Sequence, residues 1–260
     1  MILEEILSAI REDQKVLIPD SWAQGRTTFG GLTGAILCEA TARDTDPARR
    51  LRNFEVGFVR PLEAFKPFDV QVETLANGKT VTIKSARIVQ GDKVRATARA
   101  DYVLPIESNV TIETFIPPLL KDKKESVLLQ GDHLPSFFQH FDNHIATEGM
   151  PFSGQDIPQL GGWMRFKDAP TKMTASSLVC LTDSWPPSAA SHYKGFKPLS
   201  TLSWSIHFAN LIHEVSTTDY LGYLSKANFA ENGLSSSQAE IWGAQGQLLA
   251  RSFQTNLIYG

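Results

Sequence analysis

The sequence predicts an α+β fold made of two similar lobes, each a central helix wrapped by an antiparallel sheet. Three observations carry this. The apolar period changes from 3.6 to 2 once in each half, so a helix is followed by strands twice. Each half contains an Asn-Gly pair, Asn77-Gly78 and Asn232-Gly233, of the kind favoured in tight type I′ hairpins. In each half a second glycine turn follows 13 residues later, Gly78 to Gly91 and Gly233 to Gly246. Self-similarity on this scale marks a duplicated unit. Joining the units edge to edge removes two open sheet edges.

Residues 2–12 place Ile2, Leu3, Ile6, Leu7 and Ile10 on one helical face. Val16-Leu17-Ile18 stops at the turn signal Pro19-Asp20. After Gly30-Gly31, a helix is expected over Gly31–Asp44, apolar at Leu32, Ile36, Leu37, Ala40 and Ala42 with the small Ala35 and Cys38 between. A helix so apolar belongs in the interior, under a sheet. Phe54, Val56 and Phe58 then alternate with their neighbours until Arg60-Pro61, and strands are expected at 68–75, 80–89 and 93–103. Residues 20–104 therefore read as a buried helix followed by an antiparallel meander.

Residues 105–130, with Pro105, Pro117-Pro118 and the charge run Lys121–Glu125, read as a linker over the surface. It divides a first lobe, 1–104, from a second, 131–260. Structure resumes at Phe137–Asp142, and Trp163–Phe166 reads as a strand. The helical pattern returns over Met173–Asp183, apolar at Leu178, Val179 and Leu181, and stops at Trp185-Pro186-Pro187. Strands at 201–208, 220–224, 235–244 and 248–259 complete the second lobe.

At 260 residues the chain has ample length for a core, and its 42% hydrophobic content and net charge of −3 leave no polybasic footprint for nucleic acid or an anionic membrane. No apolar run approaches the roughly 20 residues that span a bilayer, and the acidic, amphipathic N-terminus lacks the pattern of a signal peptide. Two cysteines suit a reducing compartment, so the expected location is cytoplasmic. Sheet edges and aromatic strands that remain after the lobes join predict self-association, as a dimer.

Several chemical patterns are set aside. Gly25–Gly34 is no phosphate-binding loop, because no Lys-Ser/Thr follows. Cys38 and Cys180 fall at similar places in the two helices and read as small core residues. Ser184 and Ser188 sit in no nucleophile elbow. His140 and His144 with Asp142 between them form a metal pair only if helical, and Phe137, Phe138 and Phe141 around them favour a packing segment.

Four stretches resemble the acyl-CoA thioesterase II family. They are Gly25-Arg26-Thr27-Thr28-Phe29-Gly30-Gly31 before the first helix, Phe58-Val59-Arg60-Pro61 ending a strand, Gly78-Lys79 with Arg87–Gly91, and Gly246–Gln254 closing the second half. The similarity covers most of residues 16–104 and 135–259. It implies a double hot-dog fold and hydrolysis of acyl-CoA to fatty acid and CoA, with neither cofactor nor metal. It also implies a catalytic trio: an Asp on the second helix, a Thr on the next strand and a Gln on the last strand, here Asp183, Thr201 and Gln254. Family members often carry an acid two residues after that Thr, where this chain has Ser203.

Thioester hydrolysis requires an aimed water, a group to take its proton and donors for the developing oxyanion. Asp183 is suited to accept the proton, while Thr201 and Gln254 orient the water. Gly30 and Gly31 let an acyl carbonyl approach the helix start closely. The residues also have plain structural readings. Asp183 terminates a helix, Thr201 is an ordinary strand residue, and Gln254 is a solvated one. Strand parity counts against Thr201: it shares a face with Ser203, Ser205 and His207, opposite Leu202, Trp204, Ile206 and Phe208. It reaches Asp183 only near a bulge or at the seam between lobes. A non-catalytic acyl-CoA or lipid-binding module on the same fold stands as the alternative. A hot-dog dehydratase is weaker, because no Asp/His pair lies near either helix start.

Overall fold

The computed structural model describes residues 1–110, 112, 116–131, 134–209 and 215–259. In chain order its elements are α1 (Leu3–Arg11), β1 (Ala23–Gln24), β2 (Thr27–Thr28), α2 (Gly30–Ala42), β3 (Arg50–Phe58), β4 (Asp69–Asn77), β5 (Val81–Gln90) and β6 (Lys93–Val103). Then come β7 (Val127–Leu128), β8 (Phe141–Ile145), β9 (Gln159–Phe166), α3 (Ala175–Thr182), β10 (Leu199–Phe208), β11 (Leu221–Glu231), β12 (Leu234–Trp242) and β13 (Leu248–Ile258). Apart from the small β1-β2 ribbon, all strands join one eleven-stranded sheet in the order β4-β5-β6-β3-β10-β13-β12-β11-β9-β8-β7.

The two halves meet where β3 pairs antiparallel with β10. Outward from that seam each half runs the same way: β3-β6-β5-β4 on one side, β10-β13-β12-β11 on the other. This is the pseudo-two-fold arrangement the duplicated turns predict. The simple meander is not formed, however. In each half the first strand lies beside the fourth, and only the last three form a meander. A hairpin from β3 to β4 is prevented by the ten-residue connection through Pro61 and Pro67, too long for a tight turn. The 105–130 stretch is not wholly outside the fold. Its last residues form β7 on β8, and Lys121 bonds Ala146; residues 111 and 113–115 lie outside those described.

Both central helices are buried along their length: Gly31 to Thr41 in α2 and Ser176 to Thr182 in α3. They run antiparallel, with Gly31 against Cys180 and Gly34 against Val179. A Cβ at Gly31 would lie 2.7 Å from the Cys180 carbonyl oxygen, so glycine sets this helix–helix distance. Helix α1 lays Leu3, Ile6, Leu7 and Ile10 on the same core, each fully buried apolar side chain contributing roughly 1.5–3 kcal/mol relative to exposure.

The two Asn-Gly pairs differ. At Asn232-Gly233 both φ angles are positive, 51° and 77°, and Glu231 pairs with Leu234, giving the expected two-residue type I′ turn. Asn77-Gly78 forms a hairpin of another kind. Asn77 remains in β4 opposite Thr82, four residues separate that pair, and neither Asn77 nor Gly78 takes a positive φ. The Asn77 side chain instead accepts a bond from the Thr82 hydroxyl at 2.9 Å. The difference is measurable. At Gly233 a Cβ would meet the Ile258 carbonyl at 3.1 Å in left-handed backbone, so Gly233→Ala is expected to cost about 1–2 kcal/mol. Gly78→Ala meets only an ordinary 3.5 Å contact and is expected to stay within about 0.5 kcal/mol. Equal changes in melting temperature for the two variants would contradict this description.

Candidate active site

Asp183 is the C-cap of α3, with φ −82° and ψ 1°, where Trp185-Pro186-Pro187 stops the helix. The adjacent Ser184 is fully buried, and its hydroxyl accepts a 2.8 Å bond from Asn143 Nδ2, which fixes the end of the helix against β8. The Asp183 carboxyl therefore projects from a pinned position toward the start of α2. There the Gly31 amide donates to it, and a Cβ at Gly30 would fall 2.7 Å from its Oδ2. Gln254 Nε2 on β13 donates to Oδ1 at 2.7 Å.

Burial pushes the Asp183 carboxyl up to about 7, against the hydrogen bonds from Gln254 and Gly31 that favour its charged form. Desolvation by burial outweighs the two donors.

The parity objection to Thr201 is resolved by a β-bulge. Thr201 stands opposite Asn256, but the next pair is Ser203 with Thr255, so Leu202 is an extra residue on β10. Leu202 and Ser203 are both exposed, whereas Trp204, Ile206 and Phe208 are buried. Thr201 thus shares the core face with Trp204 and with Asn256 and Gln254 across the ladder. Ser203, where the chain departs from the family pattern, does not line the cavity that Asp183 and Thr201 share.

Asp183, Thr201 and Gly30 line one cavity of about 450 Å3, with Thr27, Thr33 and Phe58 among its walls. Thr201 makes its hydrogen bond with Asn256, whose Nδ2 donates to Oγ1 at 3.0 Å. With Oγ1 accepting there, the hydroxyl proton is available to the cavity. Asn256 is completely buried and was not singled out from the sequence; only its i+2 spacing from Gln254 on one strand face marks it. A larger depression of about 580 Å3 lies around Glu55, Arg99 and Ser205; Gln254 lines this depression and not the cavity shared by Asp183 and Thr201, which it reaches only through its bond to the Asp183 carboxyl.

His140 and His144 form no helical pair. His140 ends a 3-10 turn and stacks on Trp22 at 3.8 Å, while His144 lies in β8 beside Asp142. Among the described residues no group of three or more His, Cys, Asp or Glu is placed to hold a metal ion, and no helix is long and apolar enough to cross a membrane. Cys38 and Cys180 are buried, and burial raises both thiols.

The family model described as acyl-CoA thioesterase N-terminal domain matches residues 18–103, and that described as acyl-CoA thioesterase C-terminal domain matches residues 117–258. The chain belongs to the acyl-CoA thioesterase family. Solved structures similar to this thioesterase-family chain share its hot-dog fold. A conserved protein of unknown function with hot-dog fold from Alicyclobacillus acidocaldarius has a TM-score of 0.85 at 18% identity, covering 95% of this chain and 92% of its own. A tesB protein from Mycobacterium avium subsp. paratuberculosis gives 0.76 at 16% identity over 100% of both chains. An acyl-CoA thioesterase II from Mycobacterium marinum gives 0.73 at 18% identity, covering 100% and 98%. Among curated proteins no match to the chain was found.

Proposed function

We propose that this chain hydrolyses acyl-CoA thioesters to a free fatty acid and CoA, using a water held between Asp183 and Thr201. The observation that carries the reading is the 2.7 Å bond from Gln254 to Asp183, which fixes a carboxylate beside a cavity that Thr201 also faces. Asp183 in its ionised form takes a proton from the water as its oxygen bonds to the thioester carbon. The tetrahedral intermediate then collapses, the C–S bond breaks, and the CoA sulfur leaves with the proton returned by Asp183. Gln254 holds the carboxylate, and Thr201, its Oγ1 bonded by Asn256, directs its proton toward the water. The Gly31 amide is committed to Asp183, so Gly30 N–H at the start of α2 is assigned to the oxyanion.

A cavity of this volume accommodates an acyl group and its thioester, leaving most of CoA at the surface. We further infer two functional lobes, 1–104 and 131–260, in a cytoplasmic protein that self-associates. The exposed edge strand β4 supports the last point. Sedimentation at micromolar concentration is expected to give a species of about twice the 28.7 kDa chain mass, and a single monomeric species would overturn it.

Incubation with a panel of acyl-CoAs and a thiol reagent tests the central reading. Release of free CoA thiol that requires Asp183 is expected. Binding of acyl-CoA without thiol release would instead assign the chain as a binding module.

A further inference from the structure

The duplication places a second cavity, of about 290 Å3, at the pseudo-symmetric position, between the end of α2 and the start of α3. The correspondence follows from the ladders residue by residue. Leu51 pairs with Tyr102 immediately before a bulge in β3, as Thr201 pairs with Asn256 immediately before the bulge in β10. Three residues on, Phe54 faces Ala100 as Trp204 faces Gln254. The second site therefore has Leu51 in place of Thr201, Ala100 in place of Gln254 and Tyr102 in place of Asn256. The Tyr102 hydroxyl is bonded to Thr41 at 2.9 Å. The groups that would hold and activate a water are absent from these positions.

Other features replace them. Leu199 and Ser200, which line the first cavity, correspond to Arg49 and Arg50, which line the second together with Lys172. Arg49 is anchored by Nη2 on the Gly78 carbonyl at 2.7 Å, yet its Nη1 is enclosed and has no hydrogen-bond partner. The one acid in the lining, Glu39, is already bonded to Arg11 at 2.7 Å. Leu51, Met173 and Ala42 supply apolar wall. A cavity lined by three cationic side chains, one of them anchored, with an apolar interior matches a molecule with one anionic head and a short apolar tail.

We propose that this second cavity binds a free carboxylate with an aliphatic tail, without hydrolysing anything, its head on Arg49 and Lys172 and its tail along Leu51 and Met173. Binding there does not depend on whether the first cavity cleaves thioesters, so the two readings fail separately.

Octanoate is a suitable probe, read by 13C-methyl methionine NMR on the full chain. The four methionines give one reporter, Met173, inside the cavity. The Met173 methyl is expected to shift saturably with octanoate, and at least about ten-fold more weakly with 1-octanol, which lacks the charge. Lys172→Glu is expected to weaken the octanoate effect at Met173 by about ten-fold and to leave acyl-CoA turnover unchanged. Arg49→Gln, which keeps a donor for the Gly78 carbonyl, is expected to do the same. An unmoved Met173 signal would overturn the proposal, as would equal responses to octanoate and octanol or a response unaltered by both substitutions.

Discussion

Asp183→Asn is expected to lower acyl-CoA turnover by about 10²–10⁴-fold, the range of a general base, with little change in KM or in the folded structure. Asparagine keeps the shape and still offers an oxygen to Gln254 Nε2, which now bonds the carboxylate at 2.7 Å. What it loses is the ability to take a proton. Thr201→Val and Gln254→Ala are expected to cost less. Each removes one orienting contact and leaves the base in place. Wild-type turnover by Asp183→Asn in steady-state assays would refute the assignment.

Gly30→Ala is the second large effect. A Cβ there would lie 2.7 Å from Asp183 Oδ2, well inside contact distance. The carboxylate cannot retreat freely, because Gln254 and the Gly31 amide hold it. The methyl therefore displaces the base from its bonded position, and a misplacement of about 1 Å can cost on the order of 10²-fold in rate. Stability falls as well, because the displaced carboxylate gives up hydrogen bonds in a buried position, a cost of about 1–3 kcal/mol. The expected signature is a lowered melting temperature in a protein that still folds, with turnover reduced about 10²-fold. Wild-type turnover would show that Oδ2 has no catalytic position to lose.

Much of the fold was legible because its signals are local. The apolar runs of α2 and α3 and the glycine turns at Gly91, Gly233 and Gly246 depend on neighbouring residues alone. The placement of β3 beside β6 and β10 depends on pairings far apart in sequence, which no period reports. The same holds at the site. Asp183 was visible as a helix terminator, but its proximity to Gly30 and Gly31 exists only because the glycines of α2 let the two helices pack closely. The Leu202 bulge left no local trace: an apolar residue between two serines reads as ordinary alternation. Thr201 therefore looked outward until the ladder register showed it facing in. Asn256 read as one polar residue among several on β13 until its bond to Thr201 appeared. The charge state of Asp183 follows from burial, which the sequence does not record.

The pH dependence of kcat/KM on an acyl-CoA substrate tests the central claim most directly. Only ionised Asp183 can accept the water's proton, and burial holds its carboxyl up to about 7. Activity is therefore expected to fall tenfold per pH unit well below 7, to rise through a midpoint near 7 and to level off above it. A profile flat from pH 5 to 9, or one with its only inflection near the ordinary Asp value of about 4, would contradict the role of Asp183 as a base poised at neutrality.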